Sequence, residues 1–292
     1  MPRWRRALRR HDQWVAAACF LVPAMLAVAF LRFMPAVLAV WEAIHVAGPG
    51  WPISLRNFHF LFTDPDFIQA LRVTLLFSLV VNPLQITMAL GLALLLSRSL
   101  PLVGVWRTLI LLPVAIPQSV SAVIMGVVFR PDGPANAILA MLRLPPQPFL
   151  TSPLQALPVI ILILCWIGVG YWMTFLIAGL KEIPRALYEA AEIDGASGWQ
   201  RFLHITLPQL QRQLAFVLVA DTIANFLIFA PVQILTQGGP EGSSNLIMND
   251  IYTRGFLYGD PTGAAAETVV LVSVMLVIVS IQFRLMQGRH SV

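Results

Sequence analysis

Six long apolar runs dominate this sequence and limit what it can fold into. The runs extend over about residues 14–42, 71–96, 105–128, 156–179, 212–235 and 264–285. About 20 apolar residues suffice for a helix to cross the hydrocarbon core of a bilayer, so each run predicts one crossing. Only 11% of the residues are charged, against about 25% in soluble domains. We therefore expect an all-α polytopic membrane protein with six transmembrane helices.

The distribution of basic residues predicts how these helices are oriented. With the N-terminus inside, thirteen of the nineteen lysines and arginines fall in cytoplasmic segments. Because cytoplasmic loops carry the excess of Lys and Arg, both termini are predicted to be cytoplasmic. The expected organisation is a basic tail over 1–13, a six-helix domain surrounded by membrane lipid over 14–285, and a short tail over 286–292. Membrane topology accounts for the positive charge, so no nucleic-acid partner is expected.

The most polar of the predicted inner segments is the loop over 181–208, between the fourth and fifth helices. Pro184 suits the first turn of a helix, and an amphipathic pattern follows it. Gly195 is predicted to end this helix. A second short helix is predicted over 199–204, with Pro208 as its end. The expected unit is a helical hairpin on the inner membrane face, shaped to be held by another protein.

This loop resembles the EAA signature of binding-protein-dependent ABC importer permeases. The resemblance implies the type I ABC importer permease fold and a loop that forms a coupling helix on a separate ATPase subunit. By the same resemblance, Glu189 is the acidic docking residue and Gly195 makes the sharp turn. The predicted coupling residues are Glu189, Ala190, Ala191, Asp194, Gly195, Ile205, Leu207 and Pro208.

Nucleotide binding is expected outside this chain. A phosphate-binding P-loop needs Gly-Lys-Ser/Thr, and the sole lysine, Lys181, follows Leu180. No cofactor, metal site or catalytic residue is therefore expected here, and the resemblance implies that ATP and Mg²⁺ bind to partner ATPase subunits. It also implies a heterodimeric pore with a second homologous permease, two copies of the ATPase and an extracytoplasmic solute-binding protein. The expected location is the plasma (inner) membrane of a bacterium or archaeon.

A second motif indicates the kind of importer. Residues 235–240 resemble an outer-loop motif of the maltose-type, carbohydrate-importing permeases. That subfamily continues with a hydroxyl residue, which Ser244 matches, but Asn249 and Asp250 replace its usual aromatic residues. This departure leaves open which residues of the loop contact a receptor. The residues predicted to face the receptor are Gly238, Gly239 and Pro240.

Polar residues within the apolar runs are candidates for the substrate path, because such groups are costly at membrane depth and usually functional. Asp221 and Asn225 lie four residues apart and share one helix face. An alternative role for Asp221 is an ion pair with Arg212, and helix packing remains open for every candidate. Glu267 is predicted to cap the N-terminus of the last helix. The predicted path comprises Asp221, Asn225, Gln233, Tyr171 and Trp172.

The expected function is import of a sugar or sugar-like solute from an external binding protein by alternating access. Proline interruptions at Pro23, Pro35, Pro83, Pro113, Pro117 and Pro231 also favour a transporter, because a broken helix is tolerated only where neighbours or a cavity satisfy its carbonyls. The same importer class for glycerol-3-phosphate or another polar solute stays open. An ion-coupled secondary transporter would need coupling carboxylates, for which Asp221 is the candidate. A membrane-embedded enzyme would need an intramembrane catalytic set such as His-Glu-x-x-His, which the sequence lacks.

Overall fold

The chain is described here by a computed structural model over residues 18–46, 52–98 and 100–287. Within these ranges the regular elements are helices, apart from one bridge between His45 and Ile53. The prediction of an all-α membrane protein is confirmed. The predicted basic tail and the last five residues of the predicted C-terminal tail lie outside the described ranges.

The helices are numbered along the chain. The first seven are α1 (Ala18–Ala43), α2 (Arg56–Leu61), α3 (Pro65–Leu96), α4 (Val103–Ala115), α5 (Gln118–Val128), α6 (Pro134–Met141) and α7 (Ala156–Glu182). The next two are α8 (Arg185–Ile193) and α9, which joins Gly198–Arg201, a π-helical Phe202–Thr206 and Leu207–Gln209. The last four are α10 (Gln211–Phe226), α11 (Ala230–Leu235), α12 (Ile247–Tyr252) and α13 (Pro261–Gln287).

Four of the described helices, α1, α3, α7 and α13, are long and apolar enough to cross a bilayer. The helices α4 and α5 pass the same test as a pair, but they meet at an angle of 100°. The bend lies at Ile116, whose extended backbone (φ −91°, ψ 133°) is the conformation expected immediately before Pro117. The third predicted run is therefore a broken helix.

The fifth predicted run is also broken. It divides into α10, with 16 residues, and α11, with six, and the helix stops at residues 227–229 before Pro231 enters the first turn of α11. Proline is well tolerated there because an N–H in the first turn has no partner within the helix. The prediction of six crossings is thus not confirmed exactly, since four to five spans qualify by length and composition among the described residues.

The last helix begins earlier than predicted, at Pro261 rather than at residue 264. Asp260 Oδ1 accepts the N–H of Gly263 at 2.9 Å, which is the interaction of an N-cap residue. Glu267 consequently lies in the second turn of α13 and is fully buried. Its predicted role as an N-terminal cap is wrong, because Asp260 supplies that cap.

The core is organised around α7. Sixteen of its 27 residues are buried, and it packs along α3, α4 and α10. A second apolar cluster joins the C-terminal end of α1 to the start of α3, α12 and α13. By contrast, Ala43 is the one buried residue of α1, so the apolar faces of this helix are left for lipid or for another subunit.

Candidate functional site

The predicted coupling loop folds as the two short helices α8 and α9. Pro184 immediately precedes α8, and the N–H groups of Asp194 and Gly195 bond back to carbonyl oxygens of the last turn at 3.0 and 3.1 Å. Gly195 has a φ of +76° and open space around its Cα. Only the left-handed backbone therefore calls for glycine there. The structure thus places a sharp turn at the position that the spacing predicts.

The surface of α8 is left uncovered by the other described residues. None of its residues is buried, and Ile193 is 87% exposed. On α9 the side chain of Trp199 is 67% exposed, while Glu189 and Ala190 of the signature are exposed as well. Exposed apolar side chains grouped on short helices are typical of a protein–protein or membrane contact.

The start of α9 is fixed by a capping box. Gln200 N donates to Ser197 Oγ at 3.3 Å, and Ser197 N donates to Gln200 Oε1 at 2.7 Å. The helix then runs through a π-helical turn to Gln209, so the prediction that Pro208 ends it is wrong. Pro208 lies in the first turn of the final segment, where a missing N–H costs little.

Two side-chain contacts hold α8 against α9. Tyr188 Oη and Thr206 Oγ1 lie 2.9 Å apart, and Arg201 Nη1 forms an ion pair with Glu192 Oε1 at 3.0 Å. The Glu192 side chain is 69% exposed, so this ion pair contributes at most about 1 kcal/mol. The hairpin is therefore shaped by its own backbone, and side chains contribute little to holding it.

Of the remaining signature residues, Ala191, Ile205 and Leu207 are half-buried, and Pro208 is exposed.

A buried polar network joins α3 to α10. Asn225 Nδ2 lies within hydrogen-bond distance of Asn82 Oδ1 (2.7 Å), Gln85 Oε1 (2.9 Å) and Asp221 Oδ1 (3.1 Å). Asn82 Nδ2 in turn donates to Thr222 Oγ1 at 3.1 Å. Buried amides of this kind must find partners, because an unpaired polar group in the interior costs about 1–3 kcal/mol. The network therefore fixes the two helices in register.

A cavity of about 370 Å³, the central cavity, opens beside this network. Asp221 Oδ2 is buried and has no hydrogen-bond partner within the described part of the chain. The ion pair between Asp221 and Arg212 is absent from the described residues. The polar and aromatic residues that line the cavity are Gln85, Gln118, Tyr171, Trp172, Asp221 and Asn225.

The structure thus brings four of the five predicted path residues to one cavity. Tyr171 and Trp172 meet edge to face with ring centroids 4.8 Å apart. Gln233 lies apart on α11 and does not line the cavity. The sequence did not identify Asn82 or Gln85, although two amides three residues apart within an apolar run are themselves a signal.

The Gly-Gly-Pro segment forms a tight turn after α11. Gly238 has a φ of +84°, and a Cβ there would lie 2.8 Å from Asn245 Oδ1, so both backbone and space require glycine. Ser244, the hydroxyl that the sequence singled out, donates to Gly239 O at 2.7 Å. Gly238 is buried and both Gly239 and Pro240 are half-buried, so none of the three predicted receptor-facing residues is freely exposed.

The two residues that depart from the carbohydrate-permease pattern belong to a polar chain behind this turn. Asn249 Nδ2 donates to Asn245 Oδ1 at 2.9 Å, and Asn245 Nδ2 donates to Asp250 Oδ1 at 3.0 Å. Burial raises the pKa of the Asp250 carboxyl, although the bond from Asn245 acts in the opposite direction. Amide and carboxyl groups therefore occupy positions that aromatic residues fill in the pattern.

A buried arginine joins three elements at the same end of the molecule. Arg254 donates to Asp64, the N-cap residue of α3, and to Glu267 in α13. Its guanidinium also lies 3.9 Å from Asp260. The Arg254 side chain is 11% exposed and Glu267 is fully buried. We refer to Asp64, Arg254, Asp260 and Glu267 as the arginine cluster. The sequence did not predict it.

These features define an integral membrane permease. Helices of crossing length surround a polar cavity, and an uncovered helical hairpin lies at one end of the bundle. A family model described as "Binding-protein-dependent transport system inner membrane component" matches residues 85–291. The chain belongs to this family, and its function is that of a permease subunit of an ABC importer. Family membership does not support the secondary transporter that the sequence left open.

Individual relatives agree with this assignment. The lactose transport system permease protein LacF of Rhizobium radiobacter is 32% identical over 283 residues, with 94% of each chain covered. The sn-glycerol-3-phosphate transport system permease protein UgpA of Agrobacterium fabrum is 31% identical over 243 residues, with 81% of each covered. A crystal structure of a bacterial ABC transporter involved in import of the acidic polysaccharide alginate covers 100% of both chains, with a TM-score of 0.81 and 25% identity.

Proposed function

We propose that this chain is the non-catalytic half of a sugar-import pore driven by a separate ATPase. A second, homologous permease completes the pore, and two ATPase subunits bind ATP and Mg²⁺. An extracytoplasmic binding protein delivers the solute. Closure of the ATPases on nucleotide draws the coupling loops together and opens the path outward, and the solute then enters from the binding protein.

The observation that carries this proposal is the uncovered hairpin of α8 and α9. Its helices present Glu189 and Ile193 to the surroundings, and the Gly195 turn gives the hairpin a defined shape. A rigid, exposed and partly apolar projection is suited to a cleft on a partner. Docking of this hairpin into the ATPase is the role we assign to the predicted coupling residues.

The proposed orientation places this hairpin in the cytoplasm and the Gly-Gly-Pro turn outside. Arg98, at the C-terminal end of α3, lies beside the hairpin, whereas Asp64 lies beside the Gly-Gly-Pro turn. A 32-residue helix is about 48 Å long, enough to separate the two faces of a bilayer. Four basic residues of the predicted inner segments lie together at the hairpin end, namely Arg98, Lys181, Arg185 and Arg201, which supports a cytoplasmic position for this end.

The central cavity supports a sugar rather than glycerol-3-phosphate as the solute. Its amides and the free Asp221 Oδ2 accept or donate hydrogen bonds to hydroxyl groups, and the faces of Tyr171 and Trp172 suit an apolar ring face. No lysine, arginine or histidine is found in the described lining, so a phosphate would enter without a counter-charge, which is costly away from water. The UgpA relatives keep glycerol-3-phosphate as the second candidate.

The docking role is tested by Glu189→Ala in the importer assembled with its partner subunits. We expect ATP-driven uptake into proteoliposomes to fall at least tenfold, while the purified permease keeps its thermal stability because Glu189 is exposed. The matched control is Asp132→Ala, which removes an exposed carboxylate from the loop between α5 and α6. This variant should retain uptake. Unchanged uptake in Glu189→Ala would contradict the docking role.

The choice of solute is tested separately, by releasing the ligand that co-purifies with the cognate binding protein and determining its mass and charge. A neutral sugar is expected. A phosphorylated ligand would make glycerol-3-phosphate or a related anion the solute, without affecting the docking role.

A further inference from the structure

A basic cavity of about 620 Å³ lies at the hairpin end of the bundle, between the hairpin and the membrane-crossing helices. Four different elements contribute one cationic side chain each to its lining. Arg98 follows α3, Lys181 lies in the last turn of α7, Arg185 begins α8 and Arg201 belongs to α9. No carboxylate is part of this lining among the described residues. We call this site the basic cavity.

Three of these cations lack a carboxylate partner. Arg201 pairs with Glu192, but the described residues place no carboxylate oxygen within 4.0 Å of Arg98, Lys181 or Arg185. Three uncompensated positive charges converge on one concavity, although acidic residues are available elsewhere in the same loop. Such a site attracts an anion with several oxygen atoms, because each cation can donate to a different oxygen.

Apolar residues also line the basic cavity. Leu94 and Leu180 come from the last turns of α3 and α7, the two central crossing helices, and Phe202 comes from α9. Trp199, which is 67% exposed, stands at the rim. Tryptophan is enriched at the boundary between hydrocarbon and headgroups. The lining therefore combines cations with apolar side chains, which is the combination that a lipid headgroup and its attached chains need.

We propose that the basic cavity binds the phosphate group of an anionic phospholipid from the surrounding membrane. Basic pockets between transmembrane helices on the cytoplasmic side are sites for acidic headgroups. A free phosphate ion offers the same chemistry to the cations, but it would leave the apolar lining residues uncovered. A phospholipid can contact both the cations and the apolar side chains, so the lipid is the source we assign. The bound lipid would join the hairpin to the ends of α3 and α7.

Native mass spectrometry of the purified full chain tests this proposal, with phosphatidylglycerol and phosphatidylcholine as matched anionic and zwitterionic probes. Retention of phosphatidylglycerol in preference to phosphatidylcholine is expected. In Arg98→Gln/Arg185→Gln its affinity should fall by about 25-fold, which corresponds to about fivefold for each cation removed. The control, Arg212→Gln/Arg284→Gln, removes two exposed arginines away from the basic cavity and should keep the affinity within about twofold.

Three further results would overturn the proposal. Equal loss of phosphatidylglycerol in both double variants would mean that overall charge, rather than the cavity, retains the lipid. Binding of inorganic phosphate without a preference for phosphatidylglycerol would assign the cavity to a free anion. A cavity variant that keeps the lipid but no longer assembles with the ATPase would assign the cations to the subunit interface. The exposure of Arg98 and Arg185 means that both variants should fold, which size-exclusion chromatography verifies.

Discussion

The two ends of the helical bundle are built in opposite ways. At one end, α8 contains no buried residue and is held to α9 by a hydrogen bond and an exposed ion pair. At the other end, buried charges of the arginine cluster join three elements. These are α3, α13 and the π-helical turn Thr253–Leu257, which follows α12. A surface that another protein completes can stay exposed, whereas a contact that must hold within the chain is buried and charge-paired.

Because the two ends differ in this way, mutations at each end should have different effects. Changes in the arginine cluster should reduce the stability of the chain itself, because a buried charge that loses its partner is costly. Changes on the hairpin should leave the isolated chain intact and act on assembly. The central polar network lies between these extremes, since its groups are buried but uncharged apart from Asp221. The following predictions are ordered by the expected size of the effect.

The largest effect is expected for Arg254→Met. This change leaves Glu267, which is fully buried, without its cationic partner, and loss of one member of a buried pair costs about 3–5 kcal/mol. The thermal unfolding midpoint of the detergent-purified chain should drop clearly. Arg130→Met, at an exposed position, should leave it unchanged. Equal thermal unfolding midpoints for the two variants would contradict the claim that buried charge pairs stabilise this end of the bundle.

An intermediate effect is expected for Asn225→Ala. The change removes the shared donor of the buried network and leaves Asn82 Oδ1 and Gln85 Oε1 without it, at a cost of about 1–3 kcal/mol. Gln233→Ala is the control, because Gln233 is half-buried and lies outside the network. Denaturant titration of both variants provides the measurement. A smaller loss for Asn225→Ala than for Gln233→Ala would show that the network does not stabilise the bundle.

The smallest effect is expected for Tyr188→Phe. It deletes the 2.9 Å contact to Thr206, which is worth about 0.5–1.5 kcal/mol, and the change should be local. Amide hydrogen exchange should become faster in α8 and stay unchanged in the arginine cluster. Tyr258→Phe, at a side chain that is 77% exposed, should alter neither region. Faster exchange at both ends would mean that the two ends are not independent.

The sequence predicted best what is encoded locally. The turn at Gly195 depends on a backbone conformation that neighbouring residues determine, so a short motif was enough to predict it. The helix break at Pro117 is local too, and prolines signalled it. The break over 227–229 lies just before Pro231, which the sequence also indicated as an interruption, whereas α1 and α3 continue through Pro23, Pro35 and Pro83. Hydropathy located the apolar runs, but it could not distinguish a proline that breaks a helix from one that the helix tolerates.

What the sequence could not predict depends on contacts between distant residues. Asp64 and Arg254 are separated by 190 residues, and Asn82 and Asn225 by 143. No periodicity connects such pairs, and each residue alone has a plausible local role. Glu267 illustrates the difficulty, because a carboxylate near a helix start suggested a cap, whereas the fold buries it against Arg254.

The central claim, that the α8–α9 hairpin is the surface completed by the ATPase, is tested most directly by hydrogen exchange on the permease with and without its ATPase subunits. Exchange is measured over 185–209 and over 254–267 in the same sample. We predict that amides of the hairpin gain protection when the ATPase is added, while those of the arginine cluster do not change. Protection that stays unchanged over 185–209 in the assembled complex would contradict the account.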